Sequence, residues 1–273
     1  MIHAVTGARG ARLALRTAGD PERPPIVLVH GWAQSRRCWE RQLGDADVAR
    51  DHHLIALDLR GHGESDVPPD GYDDPAVWAE DLAAVLDFAG APAVVVGWSY
   101  GGLVVTDYVR ERGCASLAGI VLVGALTEIG RGHPGGTIGA AMRAAIPGVL
   151  SADPAVAVPA VTSLTLAMTA EPADGAQVQA WIGATLRVPP AVRGALFRRD
   201  VGSAEVLAGI TVPTLVAHGT DDAVVAPAAA DYALGKIPGA AARWFQGGGH
   251  APFAERADGF NRALREFAVG RKG

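Results

Sequence analysis

Cysteine is scarce in this chain: Cys38 and Cys114 are the only two in 273 residues. Two thiols so far apart make neither a zinc site nor a disulfide framework, and they point to free thiols in a reducing compartment. Charge of one sign is lacking as well. Lys and Arg number 24 against 29 Asp and Glu, for a net charge of −5. No lysine- or arginine-rich stripe appears, which argues against a nucleic-acid partner. The one basic cluster, Arg193 with Arg198 and Arg199, reads as a solvated helix face. No apolar run approaches the roughly 20 residues of a membrane helix. The opening residues, from Met1 to Gly7, lack the basic-then-apolar pattern of a signal peptide. Internal repeats and low-complexity tails are also absent. These absences lead to the expectation of a cytoplasmic protein with a small-molecule partner and no membrane or nucleic acid. Oligomeric state is left open.

Hydrophobic residues make up 49% of the chain, enough for a large core. Short β-branched runs alternate with helical patterns. Strands are expected at 11–18, 26–29, 53–57, 93–96, 119–123, 212–217 and 242–245, and helices at 75–88, 101–112 and 252–269. The helix at 75–88 opens with Asp74 as N-cap and Pro75 in its first position. Continuously apolar strands between helices imply an α/β fold whose mostly parallel sheet has helices on both faces. From 127 to 205 the alternation stops. Helix-like segments near 138–145, 155–168, 177–186 and 191–199 predict a helical cap inserted into the core, because a structureless stretch of that length is rare in a compact domain. The expected organisation is therefore core at 1–126, cap at 127–205 and core again at 206–273.

The strongest motif is Gly97-Trp98-Ser99-Tyr100-Gly101, which matches G-x-S-x-G between an apolar strand and a helix. That spacing suits a nucleophile on a sharp strand-to-helix turn, with small residues where neighbouring elements crowd. A serine hydroxyl is a poor nucleophile until a base takes its proton. The candidate base is His250, on the glycine-rich loop Gly247-Gly248-Gly249 before the last helix. An acid must orient that imidazole, and Asp221 and Asp222 both follow the strand at 212–217. The resulting chain order is Ser, Asp, His. A tetrahedral intermediate needs two oxyanion donors. The backbone N–H groups of Tyr100, after the nucleophile, and of Trp32, in His30-Gly31-Trp32, are expected to supply them. No metal-ligand cluster or nucleotide-binding glycine loop competes, so no metal and no cofactor is expected.

Together these segments, with Leu57-Asp58-Leu59-Arg60-Gly61-His62-Gly63-Glu64-Ser65, resemble the α/β-hydrolase superfamily, in its branch of small bacterial esterases and cofactor-free haloperoxidase-like enzymes. The resemblance implies an α/β-hydrolase fold. It puts the acid on Asp222 when Gly219 and Val225 are aligned with the family pattern, with Asp221 a neighbour and Glu128 an alternative acid after the preceding strand. It also implies that Asp58, Arg60 and His62 are scaffold. Ser99 stands where haloalkane dehalogenases and epoxide hydrolases carry aspartate, which excludes both. The expected activity is hydrolysis of a small to medium, largely apolar carboxylic ester or lactone through an acyl-serine. C–C bond hydrolysis, perhydrolysis and slow-turnover ligand reception are the alternatives. Met142, Met168 and Trp181 in the cap are the expected pocket residues.

Overall fold

The computed structural model describes residues 1–269, so residues 270–273 of the expected second core segment lie outside it. Its strands are β1 (Ile2–Thr6), β2 (Arg12–Ala18), β3 (Pro25–Val29), β4 (His53–Leu57), β5 (Ala93–Trp98), β6 (Leu117–Val123), β7 (Thr214–Gly219) and β8 (Ala241–Phe245). They form one sheet in the order β1-β2-β4-β3-β5-β6-β7-β8. β1, β2 and β4 pair antiparallel, and every pair from β4 onward through β3 to β8 is parallel.

Every residue of β3, β4, β5 and β7 is buried, as befits strands covered on both faces. β1 was not expected from the sequence. Its exposed and half-buried residues alternate, and it is held as an edge hairpin against β2, so it shows no apolar run to read. The helix Pro75–Ala89 is capped by the Asp74 carboxylate on the Ala76 N–H and stops at Gly90, at φ 73°. The helix expected at 252–269 is broken at Arg256 into Pro252–Glu255 and Ala257–Val269. A helix at Pro227–Lys236, not expected, opens on the proline after Ala226.

The register decides what meets what. Val29 lies opposite Gly97, Trp98 opposite Val123, Val123 opposite Ala217 and Gly219 opposite Phe245. The carboxyl ends of β3, β5, β6, β7 and β8 therefore reach one edge, and the loops that leave them are neighbours. The chain crosses from one side of β3 to the other between β4 and β5, the switch point where open α/β sheets hold ligands.

Between β6 and β7 the described chain is helical, with helices Ala140–Val149, Pro154–Leu166, Gly175–Arg187, Pro190–Ala195 and Ala204–Ala208. Arg193 and Arg199 are buried at 3% exposure, which corrects their reading as a solvated face. Arg199 donates to both oxygens of buried Asp107 at 2.8 and 2.7 Å and to the Tyr100 hydroxyl at 3.0 Å, tying this stretch to the helix Tyr100–Arg112. Among the described residues no helix is long and apolar enough to cross a membrane.

Candidate active site

Ser99 stands between β5 and the helix Tyr100–Arg112 at φ 53°, ψ −119°. A non-glycine residue there carries about 1–3 kcal/mol of strain. The surrounding hydrogen bonds hold it: its N–H donates to Val123 O at 3.0 Å, and its carbonyl accepts from Gly102 and Leu126 at 2.9 and 3.1 Å. The turn is tight enough that a Cβ on Gly101 would fall 2.6 Å from Val29 O. Only glycine lets the helix approach β3 so closely.

His250 is buried on the loop after β8, with its Nδ1 2.8 Å from Asp222 Oδ2. Its ring lies against Trp98, and its carbonyl accepts the Trp98 indole N–H at 3.0 Å. Asp222 Oδ1 accepts the N–H groups of Val224 and Val225 at 2.8 and 2.9 Å, which fixes the carboxylate. Burial alone would raise this carboxyl's pKa. His250 and His218 more than offset it and hold the group well below the usual carboxylate range. His218 was not singled out in the sequence. Its Nε2 lies 3.2 Å from Asp222 Oδ2 and 3.1 Å from Val225 O. A carbonyl only accepts, so Nε2 carries the proton and gives the carboxylate a second donor. The signal was its place four residues before Asp222 at the end of β7. Gly124, at φ 48°, ends β6 beneath this pair, and a Cβ there would meet His250 Nδ1 at 3.1 Å and Asp222 Oδ2 at 3.3 Å.

The alternative acids are placed elsewhere. Asp221 is exposed, and its side chain accepts from Thr220 Oγ1 at 3.0 Å. Glu128 is buried, and its oxygens accept from Gly135 N, Ser203 N and Tyr232 Oη at 2.9, 2.7 and 3.0 Å. It is a structural tie with no contact to His250 among these bonds.

The loop after β3 comes against the serine: a Cβ on Gly31 would stand 2.9 Å from Ser99 Cβ. The next residues are shaped by two buried histidines. His30 Nε2 accepts Leu59 N–H at 3.0 Å and His62 Nε2 accepts Ala33 N–H at 3.2 Å, while their Nδ1 atoms face the carbonyls of Gly31 and Arg60. Each ring is thus a neutral bridge with its proton on Nδ1. Burial lowers the two pKa values to about 4 and about 3. Ala33 is held at φ 51° beside Trp32. Asp58 receives the Arg36 guanidinium and the N–H groups of Arg36 and Glu64, and Arg60 pairs with Asp81 at 2.5 Å. The Tyr100 N–H opens its helix, where the first N–H groups have no intrahelical acceptor.

The helical stretch between β6 and β7 is bonded to these same loops. The Trp32 indole donates to Arg193 O at 3.2 Å, and its ring packs on Phe197. Gln34 donates to Trp181 O at 3.3 Å and to Thr185 Oγ1 at 3.0 Å. Ala251 N–H donates to Met168 O at 3.0 Å. Glu255 accepts from Gly249 N at 2.7 Å, Ala170 N at 3.0 Å and Glu171 N at 2.9 Å. Met168 therefore adjoins the His250 loop. Met142 is buried on a helix whose start donates to Ala223 O and Val224 O, beside Asp222. Trp181 faces a cavity of about 190 Å³ with Ser35, Cys38 and Gln177.

Known proteins resemble this chain over most of its length. The family described as "Alpha/beta hydrolase family" matches residues 26–263. The crystal structure of an esterase from Rhodococcus sp. ECU1013 superposes with a TM-score of 0.94 at 47% identity, covering 97% of this chain and 98% of that one. A non-heme haloperoxidase of Rhodococcus erythropolis is 29% identical over 272 residues, 96% of this chain and 98% of its own. A pimeloyl-[acyl-carrier protein] methyl ester esterase of Neisseria meningitidis serogroup B is 28% identical over 254 residues, 90% of this chain and 93% of its own. With its mostly parallel eight-stranded sheet and a family match over most of its length, this chain belongs to the alpha/beta hydrolase family.

Proposed function

We propose that the protein is a serine hydrolase that cleaves a small to medium, largely apolar carboxylic ester or lactone through an acyl-Ser99 intermediate. The observation that carries this reading is the 2.8 Å bond between His250 Nδ1 and the backbone-anchored Asp222 carboxylate, on loops that share the Ser99 edge of the sheet. With its Nδ1–H held by Asp222, His250 presents an unprotonated Nε2. Ser99 Oγ attacks the ester carbonyl carbon as His250 Nε2 takes its proton. The carbonyl oxygen becomes the oxyanion, received by the N–H groups of Trp32 and Tyr100. Collapse breaks the C–O bond, and the proton on His250 passes to the leaving alkoxide. Water then attacks the acyl-serine, again losing its proton to His250, and Ser99 leaves with that proton as the acid is released. Asp222 stays ionised and stabilises the imidazolium.

In this reading residues 127–205 form the cap, with Met142, Met168 and Trp181 in the pocket wall. No cofactor takes part, and the separate free thiols Cys38 and Cys114 suit a reducing cytoplasm. A second reading is favoured by the haloperoxidase name of the Rhodococcus erythropolis relative: hydrogen peroxide in place of water at deacylation yields a peracid from the same acyl-serine. The test is a fluorophosphonate with mass analysis of the adduct, beside turnover of short esters. A single adduct on Ser99 and loss of turnover in Ser99→Ala are expected, with a residue of ~10³-fold over water from binding and oxyanion contacts. A Ser99→Ala variant keeping a tenth of the ester turnover refutes the assignment.

A further inference from the structure

Three consecutive glycines, Gly247 to Gly249, precede His250, and none has a side chain to fix the path of its loop. Hydrogen bonds set that path instead. Gly247 N–H donates to Thr220 Oγ1 at 2.9 Å and Gly248 N–H to Phe245 O at 3.0 Å, while Gly248 O accepts Asp221 N–H at 2.9 Å. These bonds tie the start of the loop to the end of β8 and to the turn before Asp222. Gly249, the residue next to His250, is held from the other direction. Its N–H donates at 2.7 Å to Oε2 of half-buried Glu255, which ends the helix Pro252–Glu255 on the far side of His250.

The other oxygen of Glu255 faces the proposed cap. Oε1 accepts Ala170 N–H at 3.0 Å and Glu171 N–H at 2.9 Å. One carboxylate thus joins the His250 loop to the cap segment 168–171, and bonds to an ionised acceptor are the stronger kind. Ala251 N–H, on the other side of His250, donates to Met168 O of the same segment at 3.0 Å. Both neighbours of His250 are therefore fastened to these cap residues. The two backbones lie so close that a Cβ on Gly249 would fall 2.6 Å from Ala170 N and 2.9 Å from Thr169 Cα. The segment leads into the helix Gly175–Arg187, whose Trp181 O and Thr185 Oγ1 accept from Gln34, two residues after Trp32.

We infer that Glu255 is a positioning residue of the hydrolase. It holds His250 through Gly249, and it makes that position depend on the docking of residues 168–171. When this segment is displaced, Oε1 loses its two donors and Ala251 loses its acceptor, so the imidazole is set for proton transfer only while the segment is seated. Transfer needs His250 Nε2 within hydrogen-bond reach of Ser99 Oγ, and a displacement of about 1 Å costs roughly 100-fold in rate. This inference rests on the serine-hydrolase reading and adds a residue to its machinery.

The experiment is Glu255→Gln, which keeps the shape of the side chain and removes an acceptor. An amide has one acceptor oxygen, so its N–H₂ meets either the Gly249 N–H or the pair from Ala170 and Glu171, and one link is lost in either orientation. Turnover of a short ester is measured per Ser99 titrated with fluorophosphonate, so that unfolded enzyme is not counted. The kcat is expected to fall roughly 10- to 100-fold with KM within a few-fold. The low-field proton resonance of the His250 Nδ1–H bond to Asp222 is expected to broaden or vanish. Arg256→Met is the control: it removes the bond of Arg256 to Glu171 Oε1 at 2.9 Å on the same cap segment and is expected to stay within a few-fold of wild type. An unchanged kcat per titrated site overturns the proposal, as does a fall in kcat with an unaltered resonance or an equal fall in Arg256→Met. Should Glu255→Gln not fold, Glu255→Asp is read by the same criteria, since it keeps the charge but is one methylene too short to span both segments. Wild type without phosphonate labelling or ester turnover would instead sink the hydrolase reading, and the resonance would still report whether Glu255 holds His250.

Discussion

Replacing Asp222 by asparagine removes one charge and keeps the shape, and the structure dictates how the amide would sit. Asp222 Oδ1 accepts two backbone N–H groups, from Val224 and Val225, so the amide oxygen must take that place. Turning the amide round would set its N–H₂ against two donors. The amide nitrogen is then forced onto the Oδ2 position, facing His250 Nδ1 and His218 Nε2. It donates to His250 Nδ1, which fixes the proton on Nε2 and leaves no lone pair for the Ser99 hydroxyl. His218 keeps its acceptor in Val225 O, so the fold survives. The expected loss in kcat is roughly 10⁴-fold, as for wrong-tautomer variants of serine hydrolases. That corresponds to about 5.4 kcal/mol of transition-state stabilisation. The assay is steady-state hydrolysis of a short ester, with thermal melting as a control. Asp221→Asn, on an exposed side chain, is expected to stay within a few-fold of wild type. An Asp222→Asn enzyme within tenfold of wild type, or an Asp221→Asn enzyme that falls further, refutes the tautomer argument.

Three other expectations follow from the same geometry. Gly124→Ala sets a Cβ 3.1 Å from His250 Nδ1 at a backbone φ of 48°. It should lower kcat/KM roughly ten- to hundredfold by displacing the imidazole, with loss of about 1 kcal/mol or more in urea denaturation. Arg199→Met strands the Asp107 carboxylate in the core and should cost about 3–5 kcal/mol of stability; the double variant with Asp107→Leu should recover most of it, and no recovery would deny the pair its role. The third concerns pH. His30 and His62 titrate at about 4 and about 3 in the fold and near 6.5 when unfolded. Below pH 6.5 the unfolded chain binds protons that the folded rings refuse. Stability is therefore full above that pH and falls from there towards pH 4. The slope is about 2.7 kcal/mol per pH unit for the two rings together. His62→Gln should remove half of that slope in denaturation at pH 5 to 6, and an unchanged slope would mean that the ring is already protonated in the fold.

Local chemistry made much of this molecule legible. Seven of the eight strands are legible, and five of them, β3 to β7, announce themselves as apolar, β-branched runs because a buried parallel strand must be apolar on both faces. The G-x-S-x-G elbow could be read because crowding at one turn restricts which residues fit there. β1 could not, since an edge strand with one exposed face has no apolar run and owes its pairing to β2. The break at Arg256 and the helix at Pro227–Lys236 are likewise set by packing rather than by periodicity.

The choice among Asp221, Asp222 and Glu128 shows where the sequence stops. Three carboxylates stand after β6 or β7, all chemically able to hold a histidine. Strand register and loop path bring Asp222 alone of the three within 2.8 Å of His250, while Asp221 faces solvent and Glu128 ties down Gly135 and Ser203. The same holds for the basic cluster. Arg193 and Arg199 look like surface charges in one dimension, because their surroundings come from residues about 40 to 160 positions away. The sequence by itself determined most of the elements, their order and the residue types suited to ester chemistry, because those depend on neighbours within a few positions. Only the tertiary structure decided which acid meets the histidine, that His218 is a second donor to that acid, and that Arg199 is buried on Asp107, because a hydrogen bond or an ion pair is a fact about distance in space.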